Sequence, residues 1–204
     1  MRVILASASP RRKKFFEELG IDFEIIPSDC DERVDESLSP EKRVEEISKK
    51  KLEDVRKRIG DDEALIVASD TLVFAGNRIL GKPKDDEDAK DMLRLLSGTE
   101  HYVISGVAAS YRGKTASASE RTAIVFRDVS EKEILRYVRS GEHRDKAGAY
   151  GIQEKGGFFT KEVRGDLNNV VGLPIYRLGV MLEKEFGIDL YSLGEKTEKK
   201  RDLK

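Results

Sequence analysis

The chain carries few residues that suit sulfur or imidazole chemistry. Its 204 residues include one cysteine, two histidines and no tryptophan. Because Cys30 is alone, no intramolecular disulfide can form, and we expect it to be an ordinary residue at a strand end. His101 and His143 cannot supply a multi-histidine zinc site by themselves. These shortages remove disulfide scaffolds and histidine-rich zinc enzymes from the candidates.

The sequence also lacks a charge excess and a long apolar run. Charged residues make up 38% of the chain, yet acids and bases almost cancel to a net charge of -1. Proteins that bind nucleic acid usually have a basic balance, so any anion-binding character here must be local. The apolar run at residues 3–6 is too short for a signal peptide or a membrane span. We therefore expect a cytoplasmic protein with neither nucleic-acid nor membrane partners.

The pattern of elements predicts a mixed α/β fold. A strand at residues 3–6, a helix starting at Pro10 and a strand at 23–26 form the opening typical of this class. Further strands are expected at 64–68, 72–74, 102–110, 115–127 and 158–163, and helices at 39–58, 87–96, 131–139 and 174–186. We expect one domain over residues 1–190 with two lobes around a central cleft. The lobe boundary is placed near 80–100, and residues 191–204 form a charged tail.

The first candidate site is the loop Ser7-Ala8-Ser9-Pro10-Arg11-Arg12, between a strand and a helix start. Backbone N–H groups at a helix N-terminus carry partial positive charge and attract anions. Arginine is suited to bidentate phosphate contacts. The loop lacks the glycines and the Gly-Lys-Ser/Thr ending of a P-loop. An N-cap followed by solvated basic residues is the structural alternative.

Two acidic positions follow apolar strands. Asp70 is placed where a strand ends, and Glu32 belongs to the acidic cluster at residues 29–32. Such carboxylates can hold Mg²⁺ and orient a water molecule. A turn aspartate that satisfies local backbone, and a solvated loop, are the alternatives.

Three further side chains belong to less specific motifs. Lys51 ends a run of three lysines on the second helix, and Lys82 is presented by the rigid turn Gly81-Lys82-Pro83. Gln153 ends a stretch rich in small residues that starts at Asp145; its amide can both donate to and accept from a base edge. A solvated helix face, a surface turn and a flexible loop are the structural alternatives.

Six motifs, taken together, resemble the Maf family. They occur in the family's order over nearly the whole chain up to about residue 188. The motifs are Leu5 to Arg12, Ala68-Ser69-Asp70-Thr71, Gly81-Lys82-Pro83, Ser97-Gly98 with His101, Asp145 to Gln153, and Asn169 to Pro174. Six ordered motifs make chance agreement implausible.

The resemblance implies an α/β fold related to the inosine triphosphate pyrophosphatases. It implies hydrolysis of a nucleoside triphosphate to the monophosphate and pyrophosphate, with Mg²⁺ or Mn²⁺ required, and it allows a homodimer. Its implied roles are triphosphate binding by Ser9, Arg11, Arg12, Lys51 and Lys82, metal binding by Glu32 and Asp70, general-base action by Asp70, and base selection by Arg12, Thr71 and Gln153. Ser48 and Leu52 flank Lys51 where the family usually has alanine, so Lys50 stays open as an alternative to Lys51.

The resemblance points to the branch that acts on dTTP and UTP, with CTP and modified pyrimidine nucleotides as further candidates. Cleaning of the nucleotide pool is an alternative that uses the same site. A nucleotide-binding regulator of septum formation and cell division, without significant hydrolysis, is a rival of a different class. Pyrophosphate release from a panel of triphosphates separates the enzyme from the regulator.

Overall fold

The computed structural model describes residues 1–195. Its strands are β1 (Val3–Leu5), β2 (Glu24–Ile25), β3 (Leu65–Ala75), β4 (Arg78–Leu80), β5 (Glu100–Tyr111), β6 (Lys114–Phe126) and β7 (Thr160–Arg164). Its helices are α1 (Pro10–Glu18), α2 (Pro40–Ile59), α3 (Asp86–Leu96), α4 (Glu131–Arg139), α5 (Leu167–Val171) and α6 (Ile175–Phe186), with short 3-10 helices at Ala147–Ala149 and Lys155–Phe159. The alternation of strands and helices confirms the predicted mixed α/β class.

The strands form one mixed sheet. Their order is β2-β1-β3-β5-β6-β7, and β4 pairs with β3 away from this path. The pairs β1–β2 and β1–β3 are parallel, whereas β3–β4 and β6–β7 are antiparallel. The β1–β3 register aligns Ile4 with Ile66, so the apolar strand β1 lies beside the apolar first part of β3. Such continuous apolar runs are typical of strands that are buried on both faces.

The chain divides into two compact units. Among the described residues, unit 1 comprises 1–70, 105–120 and 172–195, and unit 2 comprises 71–104 and 121–171. One core cluster of unit 1 contains Ile4, Ala6, Leu52, Val55, Ala64, Ile66, Ala68 and Ala108. The core cluster of unit 2 is more aromatic than this one, with Phe126, Tyr137, Tyr150 and Phe159 among its buried members. The predicted two lobes with one boundary near 80–100 stay a prediction.

Helix α2 matters most for the site because it carries Lys51. Ser39 caps its N-terminus by accepting a hydrogen bond from the Lys42 amide at 3.3 Å, and Pro40 occupies the first turn. Gly60 ends the helix in a left-handed conformation with a φ angle of 63°. The buried side of the helix consists of Val44, Ile47, Ser48, Lys51, Leu52 and Val55. A lysine is therefore held on the face that otherwise packs into the core.

Most predicted elements are present, with several differences. The strands predicted at 64–68 and 72–74 form the single strand β3, and β4 has no predicted counterpart. The strand predicted at 158–163 begins only at Thr160, because residues 155–159 form a 3-10 helix. The stretch rich in small residues contains the 3-10 helix Ala147–Ala149, and α5 has no counterpart among the predicted elements. Most of the predicted charged tail, residues 196–204, lies outside the described residues. Within residues 1–195, every helix is too short or too polar to span a membrane.

Candidate active site

The loop after β1 places a partly buried arginine, Arg12, at the start of α1. Pro10 begins the helix and Ser9 precedes it with extended backbone angles (φ -67°, ψ 119°). The Ser9 amide donates to Ser7 Oγ at 3.2 Å, and one terminal nitrogen of Arg12 donates to the same oxygen at 3.1 Å. Ser7 therefore joins the backbone of the loop to the guanidinium.

A single backbone carbonyl fixes the other side of Arg12. The Nε of Arg12 donates to the carbonyl oxygen of Gly172 at 2.8 Å, and Ser69 Oγ donates to that oxygen at 3.1 Å. Burial lowers the pKa of Arg12 and the nearby Arg11 charge lowers it further, while Asp70 and Glu32 act in the opposite direction. Arginine stays protonated at any ordinary pH. Unit 1 thus holds a desolvated, oriented cation within electrostatic range of two carboxylates.

Those carboxylates meet at one ammonium group. Lys51 Nζ lies 2.6 Å from Asp70 Oδ1 and 3.0 Å from Glu32 Oε1. Lys51 and Asp70 are only 9% and 7% exposed, whereas Glu32 is exposed. The structure therefore brings together the two predicted carboxylates, Glu32 and Asp70, and the predicted lysine, Lys51, which are far apart in the sequence.

The three lysines of the run on α2 have different contacts. Lys50 is exposed and donates to the carbonyl oxygen of Arg33. Lys49 forms an ion pair with Glu46 on the same helix. Lys51 is the member of the run that contacts Asp70; its role in triphosphate binding stays a prediction, which this contact favours over Lys50.

Asp70 does not lie at a strand end, which corrects the sequence-based expectation. It lies inside β3, which continues to Ala75. The first part of β3, as far as Val67, pairs with β1, and the last part, from Val73, pairs with β4. Asp70 falls between these two paired stretches and just beyond the end of β1. The carboxylate therefore lies past the carboxyl end of the neighbouring strand, where catalytic groups of α/β proteins commonly lie.

Three other predicted residues belong to unit 2. Lys82 is exposed in the turn after β4, and Thr71 is half-buried in β3. Gln153 is exposed in the segment between the two 3-10 helices. The carbonyl of Gly81, next to Lys82, accepts a hydrogen bond from the amide of Gly148 at 3.0 Å. This contact ties the turn that carries Lys82 to the loop that leads to Gln153.

Comparison with known proteins identifies the family. A family model described as Maf-like protein matches residues 2–185. The chain belongs to the Maf family. The expectation drawn from six sequence motifs is thereby confirmed, and the match spans both units of this Maf protein.

Curated relatives align over almost their full length. A protein of Alkaliphilus metalliredigens (strain QYMF) is 46% identical, with 93% of this chain and 98% of that protein covered. Proteins of Caldicellulosiruptor saccharolyticus (strain ATCC 43494 / DSM 8903 / Tp8T 6331) and Bacillus cereus (strain AH820) are 43% and 44% identical, with 93% of this chain and 96% and 97% of those proteins covered. All three are named dTTP/UTP pyrophosphatase. Among solved structures, the Staphylococcus aureus Ham1 protein is similar at 18% identity and a TM-score of 0.42, covering 62% of this chain and 72% of that chain.

The carboxylates of this Maf protein fit a loosely held divalent cation. Within residues 1–195, no group of three or more His, Cys, Asp and Glu side chains is close enough to form a cage around a metal ion. Asp70 and Glu32 nevertheless share the Lys51 ammonium, so their oxygens already converge on one positive charge. Mg²⁺ is commonly held by one or two carboxylates, with water and substrate phosphates as its other ligands. A two-carboxylate donor set is therefore suitable.

Sequence reasoning missed the residues that hold Arg12 in place. Ser69 and Gly172 belong to motifs that resemble the family, but the sequence assigns neither of them a role in holding Arg12. The position of a backbone carbonyl cannot be read from residue type, since every residue has one. The one available signal was that these motifs recur in the family's order.

Proposed function

We propose that this Maf protein hydrolyses dTTP and UTP to the nucleoside monophosphate and pyrophosphate. The observation that carries the proposal is the cluster in unit 1: a partly buried, oriented Arg12 whose charge interacts with Asp70 and Glu32, with Lys51 joining the two acids. Cations suit a triphosphate, and a carboxylate suits a water nucleophile. Full-length relatives named dTTP/UTP pyrophosphatase support the choice of substrates.

Binding starts at the loop before α1. Arg12 cannot turn freely because Gly172 and Ser7 hold its guanidinium, so little side-chain entropy is lost when it contacts an anion. Arg11 and the Ser9 hydroxyl add a second charge and a polar contact, and the N-terminal amides of α1 favour negative charge. Lys82 adds a further cation in this proposal, and Arg12, Thr71 and Gln153 contribute to base selection.

The chemical step breaks the anhydride between the α- and β-phosphates. Water attacks the α-phosphorus, the bond to the bridging oxygen breaks, and pyrophosphate leaves with that oxygen. Asp70 orients the water and accepts its proton, and Lys51 and the arginines offset the negative charge that develops. Asp70 and Glu32 would hold the Mg²⁺ or Mn²⁺ ion, which supplies neutralisation of phosphate charge when bound.

Pyrophosphate release from about a dozen triphosphates, with Mg²⁺ or Mn²⁺, tests the proposal. We expect release from dTTP and UTP at rates well above those with purine triphosphates, and loss of release in EDTA. CTP and modified pyrimidine nucleotides belong in the panel because they separate a pool-cleaning role from action on normal nucleotides. Binding without release from any triphosphate contradicts hydrolysis and favours the regulator. A homodimer stays a prediction.

A further inference from the structure

A histidine lies in the core of unit 2 and takes no part in the proposed chemistry. His101, on β5, is 0% exposed. Its Nε2 lies 2.8 Å from the hydroxyl of Tyr150, which is itself 6% exposed. The His101 ring packs edge-on against Tyr150 and Phe126, with ring centroids 5.5 and 4.9 Å apart, and Phe126 also contacts Tyr150 at 4.8 Å. The three rings contact one another, and the hydrogen bond between His101 and Tyr150 lies among them.

An imidazole costs more free energy in this buried space than an apolar ring would. Burial lowers the pKa of His101 to about 4, so the ring is neutral near pH 7. Its Nδ1 is buried with no hydrogen-bond partner among the described residues, and burying an unpaired polar atom costs about 1–3 kcal/mol. A phenylalanine would fill the space without this cost. The ring's distinctive contribution is its hydrogen bond to Tyr150.

Tyr150 lies in the middle of a constrained loop. Gly148 and Ala149, which precede it, both adopt left-handed backbone angles, with φ of 69° and 61°. A side chain at Gly148 would meet Val73 at 3.1 Å. Ala149 has a conformation that non-glycine residues rarely adopt, so the surrounding contacts must enforce it.

The contacts of this loop lead to two residues of the proposed site. The amide of Gly148 donates to the carbonyl of Gly81, the neighbour of Lys82. On the other side of Tyr150, the amide of Gly151 donates to the Tyr137 hydroxyl at 3.2 Å. Gln153 follows two residues later. Tyr150 is thus the side-chain anchor between the contact to the Lys82 turn and the segment that carries Gln153.

We propose that His101 is a positioning residue for substrate selection. Its hydrogen bond to Tyr150 fixes the loop from Gly148 to Gln153, and with it the Gly81-Lys82 turn. His101 does not touch the substrate in this proposal. The inference rests on the proposed function, because it concerns the residues assigned there to phosphate binding and base selection.

The central variant is His101→Phe, which keeps an aromatic ring and removes the hydrogen bond. A net hydrogen bond of about 1 kcal/mol corresponds to a change of roughly five- to ten-fold. We therefore expect the KM for dTTP to rise about five- to ten-fold, the preference for dTTP over dGTP to fall similarly, and kcat to stay within about three-fold. Tyr150→Phe, which removes the same bond from the other side, should have the same effect.

Two comparisons separate positioning from general stability. His101→Gln places an amide near the position of Nε2, so it should restore most of the selectivity. Ile124→Val, in the same core, should lower stability slightly through a small cavity and leave selectivity unchanged. Hydrogen exchange over residues 148–153 should be faster in His101→Phe than in Ile124→Val.

The inference is overturned if His101→Phe keeps the wild-type preference for dTTP, or if Ile124→Val alters it as much. It is also overturned if Gln restores stability but not selectivity. Failure of the proposed function has a different signature, since the wild type would then release no pyrophosphate from any triphosphate. In that case the selectivity role fails with it, and equal exchange in the two variants would also reject the positioning of the loop.

Discussion

At the scale of single residues, the most informative side chain is Asp70. It is buried, accepts from Lys51 at 2.6 Å, and is assigned the proton transfer in the proposed reaction. Asp70→Asn keeps the shape of the side chain but cannot accept the proton. Because general-base catalysis typically contributes 10²- to 10⁴-fold, we expect kcat for dTTP to fall by about that factor. Pyrophosphate release measures it, and circular dichroism should show an unchanged fold.

A matched control for Asp70→Asn is available in the same unit. Asp62 is an exposed carboxylate that pairs with Arg56 at 3.3 Å, and exposed pairs of this kind contribute little. Asp62→Asn should therefore leave both activity and stability nearly unchanged. Near-normal dTTP hydrolysis by Asp70→Asn would show that another group accepts the proton.

The lysine run shows how far the sequence alone can identify which lysine is buried. Lys49, Lys50 and Lys51 are chemically identical, so residue type cannot choose among them. Position on the helix can, because Lys51 follows Val44 by seven residues and precedes Val55 by four, which places it on the buried face. Periodicity therefore predicts which lysine turns inward. It does not predict that the inward lysine meets Asp70, because that depends on how α2 packs on the sheet.

At the scale of elements, the packing of α2 depends on one glycine. A side-chain carbon at Gly106 of β5 would lie 2.2 Å from the carbonyl oxygen of Val44, a helix backbone atom that cannot move alone. Gly106→Ala should therefore push α2 away and cost about 1–3 kcal/mol, the usual range for overpacking. Since Lys51 lies two turns further along α2, the variant should also lower pyrophosphate release. Urea unfolding measures the stability loss.

Gly179→Ala is the matched control for Gly106→Ala. Gly179 lies in α6, and an added carbon there would make ordinary contact with Leu190 at 3.7 Å. Alanine is also the better helix former by about 1 kcal/mol. We expect this variant to be as stable as the wild type or more so. If both variants lost similar stability, the close approach of β5 to α2 would not be the cause.

The region around residues 145–160 shows where secondary structure can no longer be predicted from the local sequence. Its small residues indicated a loop, and that is broadly correct. The apolar pair Phe158-Phe159 suggested an earlier strand start, but a turn in which the Gly157 amide donates to the Glu154 carbonyl keeps the chain in a 3-10 helix. Phe159 is buried against Phe126 and Tyr137. Tertiary packing of the aromatic rings determines the local conformation here, and the local sequence pattern does not predict that packing.

At the scale of the whole molecule, the buried imidazole makes stability depend on pH. In the unfolded chain His101 takes a proton below its ordinary pKa of 6.5, whereas in the folded protein it does so only near pH 4. The unfolded state thus binds more protons between these values, and the free energy of unfolding falls as the pH drops from about 6.5 to about 4. The full effect is about 3 kcal/mol, and below pH 4 it does not grow further.

Urea unfolding of the wild type and of His101→Gln at several pH values between 7 and 4 checks this. Carboxylates contribute to both curves, so the difference between the two proteins isolates the histidine. We expect the wild type to lose more stability than the variant over this interval. Parallel curves would mean that His101 takes up its proton at a similar pH in the folded and unfolded states.

The division into units could not be read along the sequence. Motifs and periodicity predicted most elements and the family, because these depend on local pattern. They did not reveal that unit 1 is assembled from three separate stretches and unit 2 from two. Which strands pair is decided by long-range contacts, as when β3 lies between β1 and β5.

The hydrogen bond from Arg12 to Gly172 has a consequence for synthesis on the ribosome. Its partners are 160 residues apart, and the chain emerges from the N-terminus at roughly 5–20 residues per second. The ribosome adds Arg12 well before Gly172, so the carbonyl that orients the guanidinium follows many seconds later, after the last residue of unit 2. A nascent chain that stops before Gly172 carries the whole loop from Ser7 to Arg12 without this carbonyl. The orientation of Arg12 that the folded structure shows is thus deferred until synthesis has passed Gly172.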